Sequence, residues 1–513
     1  MTRRGKWVVA TGFLAAIVCG GVLRADSNDA PATQPATDPS KQKPVATAKP
    51  VGVTTGPQAY SALRWDENYH YLADPAARHD LFDPIKYIPL NASGDWYLTL
   101  GGEARDRYEN FQHDRLGSGP QTRDGYNLFR FLPYADVHLG QYVRGFVQFR
   151  TALEGGREGG PRARDMDTAD LQQGFVELDV PLAEQLRMEV KVGRQQMAFG
   201  RERLIGVSYW TNAERNYDAA RATFISPHNT LDVFYFRPVQ VEKYTWDNND
   251  GRTNFSAIYD TMALPGVFET AKTTLSLYGF ALNTNHVSKY ADFAGTGSEN
   301  RYTIGSELSA RPGDWDLDLE VDYQLGNFAD PTIGRNQSIG AFSIATEEGY
   351  TFKGMGMTPH LFVGFDLATG DHNPNNGHLG TFNQLFPTAH NFFGYMDYIG
   401  RQNIVQVHPG VDLTLAKHKR YAQNVILRTE YHQLWRESVR DAVYDASGAV
   451  LRPGTASRSR SIGGELDLLI NWQIDQHLSA YGGYSHFFAG TFIHDTGPSY
   501  DSDFFYTAVN YAF

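Results

Sequence analysis

From Asp95 to the last residue, apolar and polar side chains alternate along the chain. The clearest stretch is Asp316 to Leu325. Asp316, Asp318, Glu320, Asp322 and Gln324 fall on one side, and Leu317, Leu319, Val321, Tyr323 and Leu325 on the other. A period of two over this length describes a strand with one greasy and one wet face, whereas a helix would scatter the charges around its circumference. About ten residues is what a tilted strand needs to cross a bilayer. The same alternation recurs at Val176-Glu-Leu-Asp-Val180, Met188-Glu-Val-Lys-Val192 and Leu466-Asp-Leu468. Read this way, the strands are 95–112, 124–139, 142–153, 170–180, 185–198, 218–226, 229–240, 253–263, 272–285, 301–311, 314–327, 335–350, 358–370, 401–415, 420–436, 458–473, 476–488 and 501–513.

The connections alternate in length. Gly140-Gln141, Pro181 to Glu184, Pro227-His228, Pro312-Gly313 and Gln473 to Gln476 are short; 154–169, 199–217, 286–300, 371–400 and 437–457 are long. Outer-membrane barrels segregate their loops in this manner, with short periplasmic turns and long outer loops, while a propeller or sandwich has no reason to. The expected fold is therefore all-β: a transmembrane outer-membrane β-barrel of about 18 antiparallel strands spanning 95–513. An even count leaves both ends of the barrel on the periplasmic side. The alternating Val509, Tyr511 and Phe513 at the end fit a terminal barrel strand.

Composition agrees with this picture. The chain of 513 residues holds 31 Phe, 29 Tyr, 8 Trp and 50 Gly, yet its mean hydropathy is −0.43. Only one apolar run stands out, Trp7 to Leu23 behind the basic Arg3, Arg4 and Lys6. Residues 1–25 read as a secretory signal peptide, with an uncleaved anchor helix as the alternative. Cys19, the one cysteine, lies inside this run, and Val18 before it is a poor lipoprotein signal. A mature chain without thiols has neither disulfides nor a cysteine metal site. Residues 26–58, rich in Pro, Ala, Thr and Lys, bury too little to order themselves and read as a disordered tether. Residues 59–94 read as a periplasmic lead-in. A formal net charge of −12 disfavours a nucleic-acid partner.

Three stretches carry a family likeness. The first is Lys86-Tyr-Ile-Pro-Leu90 followed by Tyr97-Leu-Thr-Leu-Gly-Gly-Glu-Ala-Arg-Asp-Arg-Tyr-Glu109. The second is Leu171-Gln-Gln-Gly-Phe175 with Val192-Gly-Arg-Gln195, Gly200, Arg203-Leu204, Trp210, Asn212, Arg215, Asp218 and Arg221. The third is Gly370-Asp371, Gly380-Thr-Phe-Asn383, Leu385-Phe-Pro387, His390, Phe393-Gly394 and Asp397. Together they resemble the alginate export family of outer-membrane proteins over about 64–513. The second is the most specific, because its spacing is no by-product of strand alternation. The resemblance implies an 18-stranded barrel that passes an anionic polysaccharide through an arginine-lined pore. Two features depart from it: the tether lies outside the family core, and the turn at 474–475 is too short to carry a plug.

Alternation also assigns the wall. Leu98, Leu100, Gly102 and Ala104 face lipid, so Glu103, Arg105 and Arg107 face the lumen. By the same phase Arg130, Asp136 and His138 point inward, as do Arg144, Gln148 and Arg150, Glu189 and Lys191, Arg221, and Arg428, Glu430 and His432. Arginine suits a carboxylate because its planar fork can bond both oxygens. A single guanidinium is screened beyond roughly 8 Å at physiological salt, so several must cluster to make a field. An electropositive constriction on the first three strands is the expectation, and a set of arginine–carboxylate braces is its alternative. Arg194, Arg201, Arg203, Arg215 and Asp218 fall in or near the third outer loop. Arg194 has the phase of a lipid-facing residue, so a bulge or a position above the bilayer is expected there. Asp371, His372, His378 and His390 share an outer loop with Asn373, Asn375 and Asn376 and read as polar loop residues; the acidic row at 316–322 has the spacing of a strand face and not of a calcium loop. No P-loop, GxSxG or HExxH motif is present, and no enzyme activity, cofactor or metal is expected. The alternatives to an anionic-polysaccharide channel are an uptake porin for small anions or sugar acids and, more distantly, a barrel enzyme. Expected partners are that acidic solute and the lipid bilayer, with periplasmic secretion proteins left open, for a barrel expected to be monomeric.

Overall fold

In the computed structural model, the described residues are 60–119, 122–267, 272–287, 290, 297–330, 334–374, 376–390 and 392–513. The signal segment 1–25, the tether 26–58 and Asn375 lie outside them. Eighteen strands form the wall: β1 (Trp96–Gln112), β2 (Arg123–Leu139), β3 (Val143–Gly155), β4 (Asp167–Ala183), β5 (Leu186–Gln195), β6 (Tyr217–Ile225), β7 (Asn229–Gln240), β8 (Thr253–Ala263), β9 (Thr273–Val287), β10 (Gly297–Ala310), β11 (Trp315–Asp330), β12 (Arg335–Thr351), β13 (His360–Ala368), β14 (Ile404–Lys419), β15 (Ala422–Trp435), β16 (Ser461–Gln473), β17 (Leu478–Ala489) and β18 (Ser502–Ala512). Each pairs antiparallel with the next, and β1 closes on β18 from Glu103↔Ala512 to Gln112↔Asp503, so the wall has no free edge. Every strand read from the alternation is present, with ends shifted by a few residues.

The two faces follow the sequence phase. On β11, Asp318, Glu320 and Asp322 are buried inside, while Val321, Tyr323 and Leu325 stand exposed outside. Trp96, Tyr142, Trp315, Tyr421 and Trp472 are exposed aromatics at the short-turn end; Tyr108, Phe129, Tyr235, Tyr323, Tyr484 and Phe505 stand on the outer face toward the long-loop end. Two aromatic girdles flanking an aliphatic band are the signature of a barrel seated in lipid.

Residues 60–95 are not a strand. Short turns of 3₁₀-helix at Arg64–Asp66, His70–Ala73 and Pro75–Ala77 and one α-turn at Asp83–Lys86 lead to Ile88–Pro89, which pairs with Leu98 and Tyr97 of β1. This segment sits inside the short-turn mouth. Trp65 packs on the inward Tyr134, Phe146 and Phe175, and Leu72 packs with Tyr87 and Tyr97. Tyr60 and Asp80 both reach His477 in the turn between β16 and β17, at 3.0 and 2.8 Å. That turn is short, as expected.

Candidate functional site

The connection between β5 and β6 (196–216) and the connection between β13 and β14 (369–403) fold down into the barrel and meet there. Ile205 and Phe386 form a parallel bridge. Gly206 N donates to the Phe386 carbonyl at 2.9 Å, Phe386 N to Leu204 O at 2.8 Å, and Thr388 N to Glu202 O at 2.9 Å. The apolar residues of both loops, among them Met197, Leu204, Ile205, Phe382, Leu385 and Phe393, join the inward Phe234, Phe236 and Phe255 in one buried cluster. Gly200 has a φ of +54°, a left-handed backbone that favours glycine, where the loop approaches the Glu307 carboxylate on β10.

The inward arginines hold these loops. Arg105 donates to the carbonyls of Tyr209, Trp210 and Thr211 and to Asn212 Oδ1, at 3.1–3.4 Å. Arg107 donates to Trp210 O at 2.7 Å, lies 3.8 Å over the Trp210 ring and pairs with Glu109 at 2.8 Å. Arg130 bridges Glu103 at 2.6 Å and Glu214 at 2.8 Å and reaches the carbonyls of Tyr209 and Thr211. Arg203, in the loop, crosses to β11 and neutralises Asp318 and Glu320 at 2.7 and 2.9 Å; Arg201 pairs with Glu347 at 2.7 Å. Arg215 donates to Gly206 O, Phe386 O and Pro387 O at 3.1, 2.6 and 2.8 Å, stapling one loop to the other.

The remaining sequence-singled residues brace the wall. Arg144 pairs with Asp136 at 2.8 Å and Glu177 at 3.6 Å and also donates to Trp65 O. Lys191 pairs with Glu177 at 3.0 Å under the Trp65 ring at 3.4 Å. Arg221 pairs with Asp232 at 2.7 Å and Arg428 with Asp412 at 2.6 Å. Arg194 keeps its outward phase, paired with Asp218 at 2.8 Å and Asp170 at 3.2 Å, in unbroken register between Gly174 and Asp218. Arg150 pairs with Asp167 and, at 2.6 Å, Asp247. Asp167, Asp170 and Asp247 are the tightest acidic triad among the described residues, but Arg150 and Arg194 already supply its counter-charge. Glu430 accepts no hydrogen bond from any described residue. Each of the seven inward arginines, Arg105, Arg107, Arg130, Arg144, Arg150, Arg221 and Arg428, therefore has a protein partner, whether carboxylate or carbonyl.

Arg164, at the outer mouth, differs. Its side chain is exposed and has no hydrogen-bonding or ion-pair partner among the described residues, and it lies within the field of Arg215, Asp165, Asp397 and Asp445. The surrounding protein first, and Arg215 second, lower its pKa from the ordinary arginine value. Nearby, Trp210 and His390 stack at 3.9 Å with their planes 8° apart, and His390 Nδ1 meets Asp397 at 3.0 Å. Sequence alone gave no signal for Arg164: nothing in its neighbourhood distinguishes a free arginine from a paired one.

Residues 96–507 match the family described as "Alginate export". The chain belongs to the alginate export family. No curated protein matches it in sequence. Among solved structures, OccAB4 of Acinetobacter baumannii is similar at 10% identity, a TM-score of 0.53 and coverage of 81% of this chain and 97% of that one. A BenF-like porin from Pseudomonas fluorescens Pf-5 is similar at 13%, with a TM-score of 0.52 and coverage of 81% and 98%. At these identities the likeness is one of fold. Family and fold together make this alginate-export-family barrel a channel of the outer membrane of a Gram-negative-type envelope. Several residues that carry the family resemblance meet where the two loops join, Trp210 and Arg215 from one and Phe386, Pro387, His390 and Asp397 from the other, while Arg203 and Asn212 tie the first loop to the wall.

Proposed function

We propose that this channel passes an acidic polysaccharide of the alginate type. The observation that carries the reading is Arg164, the free guanidinium at the outer mouth, in the field of Arg215 and Asp397 of the two inserted loops. A uronate chain presents one carboxylate per ring, and a single exposed arginine attracts that carboxylate without trapping it. The family's description as alginate export supports the same solute. The paired wall arginines act mainly as scaffold, so anion preference is concentrated at few positions. The barrel is read as a conduit with no catalytic step.

Purified protein in planar bilayers tests this. Oligouronates are expected to block the ion current from the outer side, and Arg164→Ala is expected to weaken that block about two- to five-fold, the worth of one exposed charge contact. Unimpeded current with long oligouronates would overturn the polysaccharide. A second reading, uptake of small sugar acids, is favoured by the buried apolar packing of the two loops across the lumen; it predicts passage of monomeric uronates with no block by long chains.

A further inference from the structure

The lipid-facing side of β6 to β10 carries a recess of about 740 Å³. The strand register explains it. Tyr235 on β7 stands beside Ser256 on β8, Ser256 beside Ala281 on β9, and Ala281 beside Tyr302 on β10. One row nearer the short-turn end come Val233, Ile258, Gly279 and Ile304, and Ala220 and Ala222 extend the two rows on β6. Tyr235, Tyr302, Val233, Ile258 and Ile304 are all exposed on the outer face. The two tyrosines, three strand spacings or about 14 Å apart, thus flank a floor of small side chains. The next strand has no such floor: β11 fills the same rows with Leu325 and Tyr323.

One row nearer the long loops, the outward residues turn polar: Arg237 on β7, Asn254 on β8, Asn283 on β9, Asn300 on β10 and Asn327 on β11. Asn283 Nδ2 donates to Asn300 Oδ1 at 2.7 Å, and Asn300 Nδ2 to Asn327 Oδ1 at 3.1 Å. Arg237 Nε donates to Asn254 Oδ1 at 3.2 Å and to the Tyr235 hydroxyl at 3.1 Å, and that hydroxyl donates to Asn254 Oδ1 at 2.5 Å. These bonds fix the guanidinium through Nε alone. Its two terminal nitrogens have no partner among the described residues. Asp218, opposite Arg237 on β6, is taken by Arg194 at 2.8 Å and Asn249 at 3.0 Å. Amides and a guanidinium on the lipid-facing phase are costly in hydrocarbon, so this row lies at headgroup depth. A fixed cation stands there with its anion missing, directly above an apolar trough.

We propose that Arg237 and the trough below it bind one phosphorylated, multiply acylated glycolipid of the outer leaflet. The acyl chains lie on Ser256, Ala281 and Gly279 between Tyr235 and Tyr302. A phosphate meets the free edge of Arg237, whose two terminal nitrogens match two phosphate oxygens. The asparagine row offers its remaining donors and acceptors to sugar hydroxyls. Any lipid can cover an apolar floor, so the floor alone selects nothing; the guanidinium and the amides above it do. A second barrel is a poorer occupant. Both copies insert in one direction, so a residue meets others at its own depth, and the carboxylate of this row, Asp218, is already paired. The inference rests on the barrel's seat in the membrane and holds whichever solute the channel passes.

Native mass spectrometry of the full-length barrel in detergent, titrated with bisphosphorylated, hexa-acylated lipid A, tests this. One lipid A per chain is expected, retained under activation that strips phosphatidylethanolamine. Arg237→Gln should weaken retention at least fivefold, and removing the phosphates from lipid A should do the same to the wild-type barrel. Gly279→Leu fills the floor, on a backbone where an added Cβ meets Ile258 at an ordinary 3.6 Å, and should also weaken it. Arg420→Gln, in the exposed turn between β14 and β15, should change nothing. Heat-dependent gel mobility checks that each variant is folded. Lipid A held no more firmly than phosphatidylethanolamine, equal retention with and without its phosphates, or undiminished retention in both Arg237→Gln and Gly279→Leu would overturn the site. A dimer in detergent that Gly279→Leu dissociates would overturn it too, and assign the trough to a second copy of the chain.

Discussion

An arginine in a channel wall can act on the solute or on the protein, and its neighbours decide which. Arg105, Arg107 and Arg130 have the inward phase that alternation assigns, yet all three are almost fully buried and bonded to the 209–214 segment or to glutamates. Arg203 shows the energetic weight of such pairing. It is the direct ion-pair partner of both Asp318 and Glu320 and lies among further acids on β10 and β11. Losing one partner of a buried pair costs about 3–5 kcal/mol, because the other charge stays behind. Arg203→Met is therefore expected to lower the thermal unfolding temperature sharply, and adding Asp318→Asn with Glu320→Gln should recover most of the loss. Glu202 makes a second residue-scale prediction. It accepts from Thr388 Oγ1 at 2.6 Å and Val207 N at 3.0 Å, linking the loops, and burial pushes its carboxyl up to about 7. A folded-state pKa above the unfolded value means that the folded loops hold more protons than unfolded ones between about 4.5 and 7. The stabilisation is complete at acid pH and is lost as pH rises through 7. Current noise from loop motion should rise across that window and become flat with pH in Glu202→Gln; persistent pH dependence in that variant would assign the effect elsewhere.

At the scale of elements, strands and loops differ in how much the sequence reveals. A strand facing lipid on one side and water on the other must alternate, so β11 is readable residue by residue and the strand count follows. The inserted loops obey no period. Their contacts join residues far apart in sequence, as from Arg215 to Phe386 or Arg203 to Glu320, and nothing local to 196–216 states that its arginines will meet β11 rather than a solute. What could be read was spacing unexplained by alternation: Trp210, Arg215 and, far downstream, Leu385-Phe-Pro387 and His390, which turn out to share one clasp, and Asn212, which ties the first loop to the wall. The phase of Arg105, Arg130 and Arg150 was legible and their partners were not, because phase is local and pairing is not. The clasp predicts its own failure. Arg215→Ala removes two charge-assisted bonds between the loops, to Phe386 O and Pro387 O, each worth about 1.5–3 kcal/mol, and one within its own loop to Gly206 O. Single-channel conductance is expected to rise and become bistable in Arg215→Ala, whereas Arg164→Ala, which staples nothing, should change solute block and leave the conductance levels in place.

For the whole molecule, the question is what narrows the path at the end opposite the long loops. A turn too short to fold inward leaves that mouth wide, and the 60–95 segment fills part of it. Its anchors are chemically distinct from those of the loops: Arg64 donates to Phe513 O at 3.0 Å and lies over the Tyr60 and Tyr134 rings, Lys86 is enclosed by Tyr60, Tyr69 and Tyr134, and Trp65 covers Lys191. Burial pulls the Lys86 ammonium down to about 7, with Arg64 adding to the fall. Its folded-state pKa is depressed, so the lysine's own protonation opposes docking below about 7 and the segment should hold more firmly as pH rises past it. Cation–π contacts shielded from water are worth up to about 2 kcal/mol each, and a segment held by several of them can leave without unfolding the barrel. Trp65→Ala removes both the cover on Lys191 and the packing on Phe146 and Phe175. It is expected to raise the ohmic conductance and expose residues 60–90 to protease added on the short-turn side, with barrel stability unchanged; Tyr71→Ala, whose ring is 56% exposed, should do neither. Conductance and cleavage both equal to wild type in Trp65→Ala would mean that the segment is a fixed part of the wall and that the constriction lies wholly at the clasp of the two loops.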